Sequence, residues 1–253
     1  MITIRADFHV HTLVSPCADV EMIPPYIVEE AVQKGIGLIA ITDHNTTANI
    51  EAVQKAARGS DLVVLPGMEL QTVEEVHLLC LFDSLEQAIA LDQSISTALP
   101  NQANNIDFFG EQFVVDETGE FIRREERLLL TSANLTIHEA WDLVVGLGGL
   151  LIPAHVNRKA NGLIQMLGFV PADTPIEVLE ISRHITPEQA YTHFPQIQGY
   201  PLIQDGDAHF LEDILGSNEF QVNDTSIAEL RLGMLNRSGR THRINPINAK
   251  SDI

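Results

Sequence analysis

Short apolar runs and amphipathic stretches alternate along most of the chain. The apolar runs are Ile2–Phe8, Gly37–Thr42, Leu62–Met68, Val76–Phe82, Gly149–Ala154, Ile176–Ile181 and Leu202–Gln204. Their length and their bounding turn residues predict buried strands. Between many of them apolar positions recur at helical spacing, over roughly 24–34, 46–58, 84–98, 136–147, 186–194 and 225–237. Ser84 to Gln87, Thr136 to Glu139 and Thr186 to Gln189 each have the form of a capping box. Pro187 follows its cap at the first helical position, where a missing N–H costs nothing. This alternation predicts an α/β fold around a parallel sheet buried on both faces. Seven strands suffice to close a barrel.

Residues from about 99 to 135 break the rhythm. There Phe113–Asp116 and Phe121–Arg124 flank a turn containing Gly119, the pattern of a hairpin. It is expected to be an insertion, either a lid over the site or a structural flap. The whole of 1–253 is expected to be one domain, and the polar tail after about 238 to be loosely held.

Composition narrows the class. The chain is 45% hydrophobic and 20% charged, as globular domains are. No segment approaches the roughly 18 consecutive apolar residues of a membrane span. The N-terminus runs almost directly into a strand and reads as having no secretory leader. Cys17 and Cys80 form no C-x-x-C pair, which suits a reducing, cytoplasmic setting. The net charge of −20 predicts repulsion of phosphate backbones, so no long duplex nucleic acid and no membrane partner is expected. Oligomeric state is not legible.

The chemistry sits at strand ends. His9 and His11 are two apart, so in an extended chain both imidazoles point to one face. The second run ends at Asp43 and His44, and the third at Gly67, Met68 and Glu69. The fifth ends at His155, and the seventh continues into Asp207 and His209. In a parallel barrel all strand C-termini emerge on one face, where active sites form. His77 begins its run instead, and reaches that face only if the chain re-enters near the site after Glu69. Imidazole with carboxylate suits zinc, manganese or iron. His138, His193 and His242 read as structural, whereas His184, beside Arg183 past the sixth run, is placed to touch substrate.

These pieces resemble the polymerase-and-histidinol-phosphatase (PHP) family of metal-dependent phosphoesterases. The matching residues are Asp7, His9, His11 and Thr12; Thr42 to Asn45; Gly67 to Glu69; His77; Ala154 and His155; and Asp207 to His209. The resemblance implies a distorted, TIM-like seven-stranded (β/α) barrel holding two or three divalent ions. It implies a first metal on His9, His11 and Asp207 with Glu69 shared, and a second on Glu69, His77 and His155. A third would lie on His44 and His209 with one ligand from the loop after His11. Many relatives carry Ser-Asp-Gly in that loop, whereas this chain has Ser15, Pro16, Cys17, Ala18 and Asp19. For the third ligand this loop leaves Asp19, Cys17 as a thiolate, or none, with Asp19 preferred.

The expected reaction is hydrolysis of a small phosphomonoester or nucleotide by a metal-bound hydroxide. Glu69 would fix the metal spacing, and His44 or His209 would protonate the leaving oxygen. Arg158, Lys159 and Arg183 are candidate phosphate clamps. A hydrolase of C–N or C–O bonds and a non-catalytic metal-binding module are the alternatives. Asp205–Asp207 is too late in the chain for an Asp-x-Asp nucleophile. As a calcium loop it fails at Gly216, its twelfth position. No phosphate-binding P-loop run is present.

Overall fold

A computed structural model describes residues 1–245. It contains the seven expected strands, as β1 (Ile2–Val10), β2 (Leu38–Ile41), β3 (Val63–Gln71), β4 (His77–Leu81), β7 (Leu150–Pro153), β8 (Leu179–Ile181) and β9 (Leu202–Gln204). The hairpin is β5 (Phe113–Val115) and β6 (Phe121–Arg124). Two further strands, β10 (Asn218–Val222) and β11 (Thr241–Ile244), lie beyond the last run read from the pattern. The helices are α1 (Pro24–Gln33), α2 (Ile50–Ala56), α3 (Leu85–Ala98), α4 (Ile106–Phe109), α5 (Ile137–Gly146), α6 (Leu163–Leu167), α7 (Pro187–His193) and α8 (Ile227–Met234). All three capping boxes form. Helix α2 starts later than its apolar spacing suggested. Asn45 is left-handed there, and the side chain of Asn49 bonds Thr12, Phe113 and Val115.

The main sheet curls in the order β11-β10-β1-β2-β3-β4-β7, with β8-β9 as a separate parallel pair. This is a TIM-like α/β half-barrel. Non-ladder bonds close the gap, from His11 N to Ala208 O, Ala208 N to His9 O, and Gln204 N to Asn218 Oδ1. The all-parallel expectation is corrected. β4 pairs antiparallel with both β3 and β7, and β10 pairs antiparallel with β1 and β11. Only five residues separate β3 from β4, enough for a hairpin turn but not for a parallel crossover. The loose-tail expectation is corrected as far as Ile244, which pairs with Asn218. Residues 246–253 lie outside the described residues.

Strand periodicity sorts the core into two layers. Phe8, Leu38, Ala40, Leu79, Leu81 and Ile152 point into the barrel, while Ile39, Ile41, Leu78, Cys80 and Leu151 pack outward under the helices. Burying each larger side chain contributes roughly 1.5–3 kcal/mol. Helix α8 plugs the end where β1 begins, through Ile227, Leu230 and Met234. The opposite rim stays polar.

Candidate metal centre

A bulge in β1 sets up the site. Asp7 pairs with Ile39 and Val10 with Ile41, so β1 has one extra residue over that interval. An extra residue reverses which face the following side chains take. Phe8 still enters the barrel core, yet Val10 joins the outer layer and His9 and His11 turn to the rim. Asp7, on the other side of the bulge, faces away from the rim. Its carboxylate accepts the N–H groups of Gly206, Leu215 and Gly216, fixing the loop that carries Asp207 and His209.

Glu69 is the centre of the cluster. Its Oε1 lies 2.8 Å from His77 Nδ1, 3.1 Å from His155 Nε2 and 3.2 Å from His9 Nε2. Its Oε2 lies 2.8 Å from His44 Nδ1 and 3.4 Å from His11 Nε2. Asp207 Oδ1 stands 3.4 Å from His9 Nε2 and 3.5 Å from His11 Nε2. The antiparallel β4 explains His77. Its N-terminus lies at the rim where the parallel strands end, so a histidine that opens its strand meets those that close theirs. His155, Asp207 and Asn45 take left-handed backbone. Non-glycine residues there cost on the order of 1 kcal/mol each and cluster at functional sites.

The residues fit a metal. His9 Nε2, His11 Nε2 and Glu69 Oε2 are buried with no well-aligned hydrogen-bond partner. Leaving such groups unpaired costs roughly 1–3 kcal/mol each, which a cation would relieve. Three overlapping groups have ligand atoms within 4.8 Å of one another: His9, His11, Glu69 and Asp207; His44, Glu69 and His77; and His11, His44 and His209. The first is the set expected for the first metal. The second contains Glu69 and His77 with His44 beside them, while His155 touches Glu69 from the other side. The third contains His44 and His209. Asp19 lies outside these groups, its carboxylate accepting the N–H of Glu21 in a local turn. Cys17 also lies outside these groups, on the wall of the neighbouring cavity with His209.

The protonation states show the same competition. Burial alone would raise the Glu69 carboxyl, but His77, His9 and His44 hold it well below the usual carboxylate range. Burial would also raise Asp207, and His9 outweighs it. His9 and His44 resist the lowering effect of burial and rise well above the ordinary imidazole value, driven by Glu180 and Glu69 respectively. Burial pushes His11 well down and brings His77 to about 4. Burial would raise the Cys17 thiol, but His44 and His209 bring it down to about 6.

Supporting residues stand behind the ligands, and one of them, Glu180, is absent from the sequence reading. Glu180 accepts from His155 N at 2.6 Å and lies 3.0 Å from His9 Nδ1. Its signal was a lone carboxylate inside the apolar run Val178–Ile181. Asp43 accepts from Ser15 Oγ at 2.7 Å and from Thr12 N at 2.7 Å, and Ser15 Oγ lies 3.2 Å from His11 Nδ1. Partners on the far nitrogen of a ligating imidazole fix its tautomer and orientation.

Beside the cluster opens a cavity of about 340 Å³, lined by Cys17, Arg158, Arg183, His184, Asp207, His209 and Phe210 among others. Arg158, Arg183 and His184, expected to touch substrate, are on its wall, whereas Lys159, the other candidate clamp, is not. Arg158 is ion-paired with Asp207, and Arg183 lies 2.5 Å from Asp213. Among the other histidines, His138 stacks on Trp141, and half-buried His242 lies 3.0 Å from Asn218 Oδ1. His193 lies at the end of α7.

The family model of the PHP domain matches residues 7–143. The chain belongs to the PHP domain family. Among curated proteins it resembles the 5′-3′ exoribonuclease Rnm of Salmonella typhimurium, with 41% identity over 73 residues. That match spans 28% of this chain and 24% of the exoribonuclease. Among solved structures it resembles the lesion-specific endonuclease EndoQ of Pyrococcus furiosus, at 21% identity and a TM-score of 0.74. The match covers 95% of this chain and 58% of that one. A complex of endonuclease Q with a 27-mer duplex carrying an abasic lesion matches at 20% identity and a TM-score of 0.70, with the same coverage.

These likenesses overturn the expectation of a small phosphorylated substrate and no long duplex. A chain of this fold holds a 27-mer duplex, and a relative at 41% identity is an exoribonuclease. The physical fault lies in reading a local property from a total. Net charge sums the whole surface, whereas binding follows the field at the rim. There Arg158 and Arg183 line the cavity, and bound cations would invert the sign set by Glu69 and Asp207. Among the described residues no helix is long and apolar enough to cross a membrane.

Proposed function

We propose that this PHP chain is a metal-dependent phosphoesterase acting on phosphoester linkages of nucleic acid. The observation that carries the reading is the convergence of His9, His11, Glu69 and Asp207 within 4.8 Å, with an open cavity lined by Arg158 and Arg183 beside it. The names of the relatives support nucleic acid as the substrate class.

The first ion would be held by His9, His11, Glu69 and Asp207. A second would be held by Glu69 and His77, with His155 and His44 at hand. A third would lie at His44 and His209. Zinc, manganese and iron all suit this donor set. Divalent ions held by these residues would supply Lewis acidity for phosphoester hydrolysis.

The chain's own residues do the rest. Arg158 and Arg183 orient phosphate oxygens through paired N–H groups, and Asp207 and Asp213 hold the two guanidiniums in place. His184 contacts the substrate from the same wall. His209 faces the cavity, and when it does not hold the third ion it is placed to give a proton to the leaving oxygen. His44 stands behind it as the second candidate acid, its ring centroid 6.1 Å away. Glu180 fixes His9 from behind.

The test combines elemental analysis with cleavage of end-labelled single-stranded and duplex oligonucleotides after loading with zinc, manganese or iron. Two to three ions per chain with phosphoester cleavage is the expected result. Full loading with no cleavage of any phosphoester would overturn the reading and favour a C–N or C–O hydrolase.

A further inference from the structure

The hairpin carries a second concavity, apart from the metal centre. A groove of about 380 Å³ runs between the hairpin and the loop after His11, lined by Leu13, Phe113, Val115, Gly119, Phe121 and Arg124. The rings of Phe113 and Phe121 meet edge to face, 5.7 Å apart at 88°. The Arg124 guanidinium lies 5.8 Å from the Phe113 ring centre. Phe121 is 60% exposed. Its ring therefore leaves most of its surface open to the groove despite the edge contact with Phe113. The turn before Phe121 approaches Ile23 closely at Gly119, where a Cβ would lie 3.0 Å from the Ile23 side chain.

The groove is tied to the catalytic rim. Phe113 N donates to Leu13 O at 3.2 Å, two residues beyond His11. Asn49 bonds both the hairpin backbone and Thr12. The loop after β1 thus supplies Leu13 to this groove and Cys17 to the cavity over the metal centre.

We propose that this groove is a stacking subsite for one unpaired nucleobase of the substrate strand. The inference rests on the nucleic-acid reading above. Every base offers a flat π-face, and aromatic side chains with a neighbouring guanidinium take it without reading sequence. The charge pattern sets the number of bases. Arg124 faces the groove, with one of its nitrogens on Glu111. The turn beyond it carries Asp116, Glu117 and Glu120, which repel a continuing phosphate backbone. A single base enters; a long strand does not track across the hairpin.

The experiment uses the metal-loaded protein and short single strands protected by phosphorothioate linkages, with 2-aminopurine placed in turn at each position near an end. Stacking quenches 2-aminopurine fluorescence. Quenching is expected at one position. It should be lost in Phe121→Ala with binding weakened on the order of tenfold, and restored in Phe121→Trp. In unprotected strands, the ratio of KM for abasic to base-bearing strand should fall toward one in Phe121→Ala. Undiminished quenching in Phe121→Ala overturns the subsite, as does the absence of quenching with wild type. So does a dimer that Phe121→Ala dissociates with no effect on quenching, which would assign the groove to a second copy of the chain. The two readings fail separately. Cleavage with unaltered quenching in the variant removes the subsite alone, and Phe121-dependent quenching without cleavage of any strand removes the catalytic reading alone.

Discussion

Glu69 and His77 stand 2.8 Å apart, carboxylate oxygen to imidazole nitrogen, on neighbouring strands that run in opposite directions. The pair joins the one ligand that opens its strand to the one carboxylate that touches five histidines. Glu69→Gln keeps the shape and removes the charge. Metal content should fall to one ion or fewer, and cleavage should be abolished. Circular dichroism should stay unchanged, because the barrel core lies below the site. Elemental analysis of the purified variant decides it, and near-normal loading would remove Glu69 from its bridging role.

Glu180 acts through His9. Glu180→Gln leaves a hydrogen-bond acceptor but withdraws the charge that raises the imidazole. Losing such an outer partner typically costs about 10–100-fold in metal affinity. Competition against a chromophoric chelator should show that loss for the first ion. A structural role alone would lower the melting temperature of the metal-free protein and leave the affinity in place.

Metal uptake should release protons. His9, His44 and His209 are raised above the ordinary imidazole value, and each must be neutral to ligate. In the metal-free protein, that raised protonation stabilises the fold fully below the ordinary value and is lost as pH rises through the raised values. Glu69 and Asp207, depressed, contribute above their ordinary values, and that share is lost as pH falls through the depressed ones. Burial keeps His11, His77 and His242 neutral, and they cost stability as pH falls below the ordinary imidazole value. Only the raised imidazoles exchange protons for metal near neutrality. The gain in melting temperature at fixed metal concentration should therefore grow from about pH 6 to about pH 8. A gain independent of pH would show those histidines to be neutral already.

The two cysteines should separate cleanly. Cys17 is exposed and its thiol lies at about 6, whereas burial pushes the Cys80 thiol up. In metal-free protein, iodoacetamide should label Cys17 with a half-maximal rate near pH 6 and leave Cys80 untouched. Peptide mass mapping reads both. A Cys17 rate that rises only above about pH 8 would place its thiol away from His44 and His209.

Gly206 has no room for a side chain. A Cβ there would lie 1.9 Å from Asp213 O, against backbone rather than a movable side chain. Gly206→Ala must displace the loop that Asp7 holds, at a cost of about 1–3 kcal/mol, and moves Asp207 with it. A lowered melting temperature together with weakened loading of the first ion is expected. Loss of stability with intact loading would show that the loop yields on its Asp213 side.

The sequence by itself determined the local facts. Apolar runs marked the seven strands, three capping boxes marked where α3, α5 and α7 begin, and the hairpin was legible from its turn. Histidines and carboxylates at run ends marked the rim, because a strand end is a local event. Tertiary structure decided the rest. β10 and β11 were missed because they draw their strand character from pairing with β1 and with each other. The reversal of β4, which delivers His77, depends on a short turn that periodicity does not weigh. The bulge that aims His9 and His11 exists only in the register between β1 and β2. Glu180, about 170 residues from His9 in sequence, meets it through barrel closure alone. The same holds for Cys17 and Asp19. Both are polar residues on one loop, and only the tertiary structure puts Cys17 on the cavity wall with His209 while the Asp19 carboxylate accepts within its own turn.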